Sequence, residues 1–219
     1  MELGDKFHCF KVKLNDSSHN ECLKIINEMV GKFIIFLGHG RSDALYGACG
    51  DQGDNIFISD DLKEEDPIYY DRQDFITIEN SNVFNQNIIF SLSCNSNIIK
   101  KSIGESSIRN GAVSFVGFGN IQTDYEIDKN FTKREIAIFN GILVKIIKKS
   151  IVYAYQKKYT VEKLTDIIKI MTNKEINCLL TKHKGIKYRH RIACHLYNFK
   201  NEIQIFGNKH ITLTNFSNN

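Results

Sequence analysis

Two residues in this 219-residue chain have the type and the setting for covalent catalysis, His39 and Cys94. Each follows an apolar run. Lys32-Phe33-Ile34-Ile35-Phe36-Leu37 leads into Gly38-His39-Gly40, and Asn87-Ile88-Ile89-Phe90-Ser91-Leu92 leads into Ser93-Cys94-Asn95-Ser96. Short apolar runs of this kind read as buried strands of a parallel sheet. In an open parallel sheet, reactive side chains converge in the crevice past the carboxyl ends of the strands. An imidazole beside a thiol there is a nucleophile with its base. The glycines flanking His39 leave room for another backbone to approach. The chemistry this permits is acyl transfer: His39 helps form the Cys94 thiolate, the thiolate attacks a carbonyl carbon, and protonated His39 protonates the leaving amine. The backbone N–H groups of Gly40 and Cys94, at adjoining strand ends, are the expected donors to the oxyanion.

Each of these residues has a plainer reading. Cys94 alone is a buried cysteine finishing a core strand, the commonest fate of a free thiol. Its pairing with His39 argues otherwise, as does a helix expected from Ile98, whose N-terminus would favour a thiolate. Asp43 either orients His39 or serves as a turn former. Cys49, in Gly47-Ala48-Cys49-Gly50, is a second thiol near His39 but lacks both a preceding buried strand and a following helix. His190, Cys194 and His195 have the four-residue step that aligns metal ligands on a helix. Neighbouring Arg189 and Arg191 make that a poor zinc site, and a structural cluster or a basic surface is preferred. No metal or organic cofactor is expected.

The elements that position these groups are read from period. Phe10, Val12 and Leu14 alternate with lysines as in a half-buried first strand. Ser18 and Glu21 form a capping box, Leu23, Ile26 and Val30 recur at helical spacing, and Gly31 supplies the left-handed exit. With the run ending at Leu37 this predicts a β-α-β unit. Asn55-Ile56-Phe57-Ile58-Ser59 reads as a short hairpin strand beside the site, Asp60 to Asp66 as acidic surface loop, and Ile76 with Ile78 as a short edge strand. A helix is predicted within Asn97 to Asn110, stopped by Gly111, followed by a strand Ala112-Val113-Ser114-Phe115-Val116. Ile136, Phe139, Leu143 and Ile147 mark a long amphipathic helix, and Thr160 caps another carrying Leu164, Ile167, Ile168 and Met171. Leu196 to Phe206 and His210 to Leu213 read as closing strands around a turn at Gly207-Asn208. The repeat of strand, helix, strand is the α/β pattern with a mainly parallel sheet, and the length suits a single domain over residues 1–219.

Composition narrows the class. Hydrophobic residues at 42% with charged residues at 25% exclude disordered and fibrous chains. A net charge of +4 is too mild to imply nucleic acid. The basic segment Lys182 to Arg191 nonetheless supports an alternative class: a noncatalytic or dormant α/β module binding nucleic acid or a partner protein through Lys184, Lys187, Arg189 and Arg191. Six cysteines without a C-x-x-C pair fit neither a disulfide framework nor a zinc ribbon. With no signal-peptide pattern and no apolar run of membrane length, the expectation is a soluble, cytoplasmic protein with no membrane partner.

Phe36-Leu37-Gly38-His39-Gly40 is similar to the histidine motif of the caspase-like, or clan CD, cysteine peptidases, and Ser91-Leu92-Ser93-Cys94-Asn95-Ser96 to their nucleophile motif. Ile103-Gly104-Glu105 with Arg109 to Gly117 resembles the helix and strand that follow the nucleophile. Ile205-Phe206-Gly207-Asn208 resembles a closing tyrosine-glycine-aspartate-proline turn, with Phe206, Asn208 and Lys209 replacing three of its four residues. The resemblance spans most of the chain and is to the prokaryotic caspase-like, CHAT-type branch. It implies a caspase-like three-layer sandwich with a mainly parallel central sheet flanked by helices. It also implies endopeptidase activity on a protein or peptide substrate, a His39–Cys94 dyad, and a role in bacterial defence or cell death with an activating protein partner. Leu92-Ser93-Cys94 stands where eukaryotic caspases carry glutamine-alanine-cysteine, so aspartate preference does not carry over. Leu92 also occupies the place where metacaspases hold an acid for a basic side chain. Asp124 and Glu126 are the candidates for an acidic specificity pocket, against their reading as solvated loop acids.

Overall fold

Alternating apolar residues give each strand of this protein two faces, and that sets its layers. The computed structural model describes residues 6–13, 15–47, 73–121 and 132–214. In chain order the elements are α1 (Asp16–Glu28), β1 (Phe33–Leu37), β2 (Gly40–Arg41), β3 (Ala44–Gly47), β4 (Gln73–Thr77), β5 (Ile88–Leu92), α2 (Ile103–Arg109), β6 (Ser114–Gly117), α3 (Lys133–Gln156), α4 (Val161–Thr181), α5 (Arg189–Asn201) and β7 (Gln204–Gly207). The main sheet has the order β1-β5-β6-β7, parallel except for β7, which runs antiparallel to β6. A small antiparallel sheet has the order β2-β3-β4.

Successive side chains of a strand point to opposite faces. Phe33 and Ile35 of β1, Ile88 and Phe90 of β5, Val116 of β6 and Ile205 of β7 pack against α3, α4 and α5 through residues such as Phe139, Leu143, Ile168 and Leu196. Ile34, Phe36, Ile89, Phe115 and Phe206 belong to the opposite core, with Leu23 and Ile26 of α1, Ile103 and Ile108 of α2, and Leu45, Phe75 and Ile76 of the small sheet. The result is an α/β arrangement with helices on both faces of a mixed, mostly parallel sheet.

One buried amide fixes how β1 enters that sheet. Asn87, directly before β5, accepts from Lys32 N at 2.9 Å and donates to Met29 O at 2.8 Å and Asn85 O at 2.9 Å. Its amide is therefore satisfied by the chain on both sides of the β1–β5 seam, as a fully buried polar group requires. Gly31, with φ at +65°, takes the chain out of α1, and its N–H donates to Gln86 O at 3.1 Å.

Several sequence expectations change here. Phe10 and Val12 pack on the second core, but residues 7–13 pair with no strand among the described residues, where the expected first strand and its β-α-β unit are not found. Helix α1 is capped by Asn15, whose side chain accepts from Ser18 N, rather than by Ser18. The helix expected from Ile98 begins at Ile103: Lys101 has a positive φ of 49°, and Ser102 is the cap, accepting from Glu105 N. The expected strand at Leu196 is the second half of α5. Its Ile192, Leu196 and Phe199 are buried at helical spacing, and the chain turns to strand only at Gln204. His210 to Leu213 contributes a single bridge, Thr160 to Thr212. The Asn55 to Ser59 strand and the Asp60 to Asp66 loop lie outside the described residues. The amphipathic helix through Phe139 and the helix capped by Thr160 form as expected.

Helices α3 and α5 are tied by a nearly buried carboxylate. Arg191 donates from Nε to Glu135 Oε1 and from Nη2 to Oε2, both at 2.6 Å, and the Glu135 side chain is 2% exposed. Thr132 N and Oγ1 also donate to that carboxylate, completing the capping box of α3. Burial raises the carboxyl pKa, but the bonds from Arg191 and Thr132 outweigh it, so the group lies below its ordinary value of 4.5. A carboxyl with a lowered folded pKa adds stability above its unfolded pKa, and loses it as the pH falls through the folded value. Glu135→Gln should cost about 1–2 kcal/mol at pH 7 in urea unfolding, and the gap from wild type should close as the pH drops below 4.5. A gap that stays constant across that range would show that the charge contributes nothing.

Candidate functional site

The parallel register of β1 and β5 brings the two sequence-predicted residues to matching places. Leu37 pairs with Leu92, the last residue of each strand, and His39 and Cys94 each lie two residues further on. The strand alternation, continued past Leu92, puts Cys94 on the α3–α5 side of the sheet. Cys94 is seen there: it is partly buried against that core, and its Sγ donates to Ile121 O at 3.3 Å. Among the other described thiols, Cys178 on α4 is likewise half-buried. Cys22 is buried in the opposite core, where burial and then the nearby Glu21 push its pKa up to about 11, and Cys9 and Cys194 are exposed on the surface.

A hydroxyl network holds the turn that carries Cys94. Ser96 Oγ donates toward Ser93 O at 2.9 Å and accepts from Phe118 N at 2.9 Å, while the Ser91 and Ser93 hydroxyls lie 2.8 Å apart. Asn95, with φ at +56°, reverses the chain directly after Cys94, a conformation asparagine tolerates better than most residues. Asn95 N and Asn97 N donate to Gly119 O and Phe118 O at 3.0 and 3.1 Å, so the turn is laid against the segment following β6. Phe118 in turn stacks on Phe199 of α5 with ring centroids 5.1 Å apart. Gly117 permits the approach: a Cβ there would lie 2.1 Å from Ser96 O and 2.5 Å from its carbonyl carbon.

On the histidine side, Tyr46 N donates to His39 O at 3.0 Å, so His39 and Tyr46 form a hydrogen-bonded pair of the β2–β3 hairpin. Bonded and non-bonded pairs alternate in an antiparallel ladder. The next pair, Gly40 with Leu45, is therefore non-bonded, and the Gly40 N–H turns away from β3. Gly40 also abuts the turn after β5, since a Cβ on it would lie 3.1 Å from Ser93 Cβ. The hairpin is braced by Arg41, which donates from both terminal nitrogens to Asp74 at 2.7 Å and from Nε to Asp43. Hydrogen bonding to Asp74, then to Tyr46 and Asp43, holds the guanidinium pKa above its ordinary value. Asp43 is thus a partner of Arg41 in the hairpin turn, in line with its reading as a turn former.

Of the other candidates, Asp124, Glu126 and Cys49 lie outside the described residues. His190, Cys194 and His195 share α5, and no cluster of metal-ligating side chains occurs among the described residues. In the basic segment, Arg191 is committed to Glu135 and Arg189 donates to Lys184 O at 2.7 Å, while Lys187 lies over the Tyr188 ring. The helix expected to favour a Cys94 thiolate starts at Ile103, nine residues beyond Cys94, with Ser102 as its cap, and gives Cys94 no adjoining helix N-terminus. Sequence reasoning missed Ser96, Gly117 and the Ile121 carbonyl. The signal for the first two was present as Ser91, Ser93 and Ser96 around the cysteine and as glycines at 117 and 119 after the next strand.

No family model, curated protein or solved structure matches this chain.

Gly117→Ala drives a methyl group into the backbone of the Cys94 turn. It should lower stability by about 2 kcal/mol or more in urea unfolding. A neutral effect would mean that the turn does not pack where described.

Proposed function

We propose that this protein is a cysteine endopeptidase of caspase-like character, with Cys94 as nucleophile and His39 as general base and acid. The observation that carries the reading is the strand register: His39 and Cys94 each stand two residues past the paired ends of adjacent parallel strands. Strand ends of this kind are where α/β sheets place reactive groups. The resemblance of the His39 and Cys94 motifs to those of clan CD peptidases points the same way, and the mixed sheet with helices on both faces is compatible with a caspase-like sandwich.

In the proposed reaction His39 takes the proton from Cys94 Sγ, and the thiolate attacks the scissile carbonyl carbon to form a tetrahedral adduct. The Gly40 N–H, turned away from β3, and the Cys94 N–H are the proposed donors to the oxyanion. Collapse breaks the C–N bond while protonated His39 gives its proton to the departing amine. Water then attacks the thioester, His39 accepts the water proton, and the carboxylic acid leaves as the thiol is restored. No step calls on a metal or an organic cofactor. A bacterial defence or cell-death setting, with a protein activator, is the biological context the resemblance favours.

Cleavage of a diverse peptide library, read by mass spectrometry with candidate activators present, tests the reading. Wild type should cut peptide bonds, and Cys94→Ala and His39→Ala should each reduce cleavage by about a thousandfold or more without loss of folding. Undiminished cleavage by Cys94→Ala would overturn it.

A further inference from the structure

The positive charge of this protein is gathered at one end of its helical layer. The bond between Arg191 and Glu135 sets the first turn of α5 beside the first turn of α3, and the short segment 182–188 joins the end of α4 to the start of α5. Three helix ends therefore meet, and Arg134, Lys182, Lys184, Lys187 and Arg189 lie on them. All are exposed except Arg189, which is half-buried. Arg189 donates to the Lys184 carbonyl and Lys187 lies over the Tyr188 ring, contacts that leave both charges unneutralised. Glu135 is the carboxylate of this junction among the described residues, and Arg191 already holds it. From Ile176 to Asn201 the chain carries no Asp or Glu. The cations named here outnumber the chain's whole net charge of +4, so the remainder of the chain is net negative. A mild total thus conceals a segregated charge, which is the electrostatic footprint of a polyanion site. The first turn of α5 has no acid and Tyr188 gives it no side-chain cap, so the helix dipole adds to the same field.

What the surface lacks identifies its partner. No large apolar side chain is exposed within residues 132–135 or 182–191. A membrane-bound helix sinks an apolar face below the lipid headgroups, and a protein partner is held by a few desolvated aromatic or apolar anchors. Neither is offered here. Single-stranded nucleic acid is held by bases stacked on aromatic rings, and the phenol ring of the junction, Tyr188, is half-buried with Lys187 and Arg191 over it. A DNA duplex asks for less. Its bases are turned inward, it presents one phosphate charge for about every 1.7 Å of axis, and cations alone supply its sequence-independent binding.

We infer that the meeting point of the α3, α4 and α5 ends is a docking surface for duplex DNA, which it holds by the phosphates without reading base sequence. Binding there calls on neither His39 nor Cys94.

Fluorescence anisotropy of a labelled mixed-sequence DNA duplex, titrated with the full chain, tests the assignment. A single strand of the same length, phosphatidylserine vesicles and polyglutamate serve as the rival ligands. With about five phosphates neutralised, log affinity should fall with log salt at a slope of about −4 to −5, a loss of several hundredfold between about 50 and 200 mM salt. Lys182→Gln, Lys184→Gln and Lys187→Gln together should weaken binding at the lower salt and reduce that loss to roughly tenfold. Lys24→Gln, Lys148→Gln and Lys149→Gln together remove the same charge elsewhere and should leave the slope unchanged. A second duplex of different sequence should bind as the first does. Three results each overturn the docking surface: no duplex binding at the lower salt, tighter binding of any rival ligand than of the duplex, or a salt slope that the two triple variants change alike.

Discussion

The parallel pairing of β1 with β5 is the constraint on which the rest depends. A slip of one residue in that register would exchange the two faces of β1 and turn Phe33 and Ile35 away from the core they share with α3, α4 and α5. It would also move His39 relative to Cys94. The register is held from both faces by packing and at its origin by Asn87, whose amide joins the end of α1 and the start of β1 to the start of β5. The same apolar burial that stabilises the sheet therefore sets which strand ends stand side by side, and the β2–β3 hairpin and the turn after β5 carry His39 and Cys94 on from there.

Polar order begins where the strands stop. Beyond Leu92 the chain has no ladder partner, and its backbone groups are taken up by Ser96 and by the segment 117–119. A buried backbone donor left without an acceptor costs about 1–3 kcal/mol, so each of these bonds is expensive to lose and the turn is held in one shape. That rigidity matters for a nucleophile, whose attack distance is sensitive to small displacements. The Phe118–Phe199 stack carries the constraint on to α5.

The site was legible in the sequence where it depends on strand ends, and less so where it depends on long-range contacts. Apolar runs of five or six residues closing on Gly38-His39-Gly40 and Ser93-Cys94 located the two side chains. The order of β1 beside β5 followed from the parallel pattern. Phe10 and Val12 have strand alternation but no ladder to join, and alternation alone does not supply a partner. Tyr197 and Phe199 favour strands by propensity, yet Ile192, Leu196 and Phe199 fall on one helical face and burial decides for helix. Arg191 read as a free surface cation because its partner, Glu135, lies 56 positions away.

The central claim is that His39 acts on Cys94, and the rate of Cys94 alkylation as a function of pH tests it most directly. Iodoacetamide labelling should be followed peptide by peptide, so that the exposed Cys9 and Cys194 report the behaviour of ordinary surface thiols in the same sample. The account predicts that wild-type Cys94 reacts well below the ordinary thiol range near pH 8.5, and that His39→Ala moves its profile up into that range while Cys9 and Cys194 stay put. Superimposable Cys94 profiles in wild type and His39→Ala would contradict it.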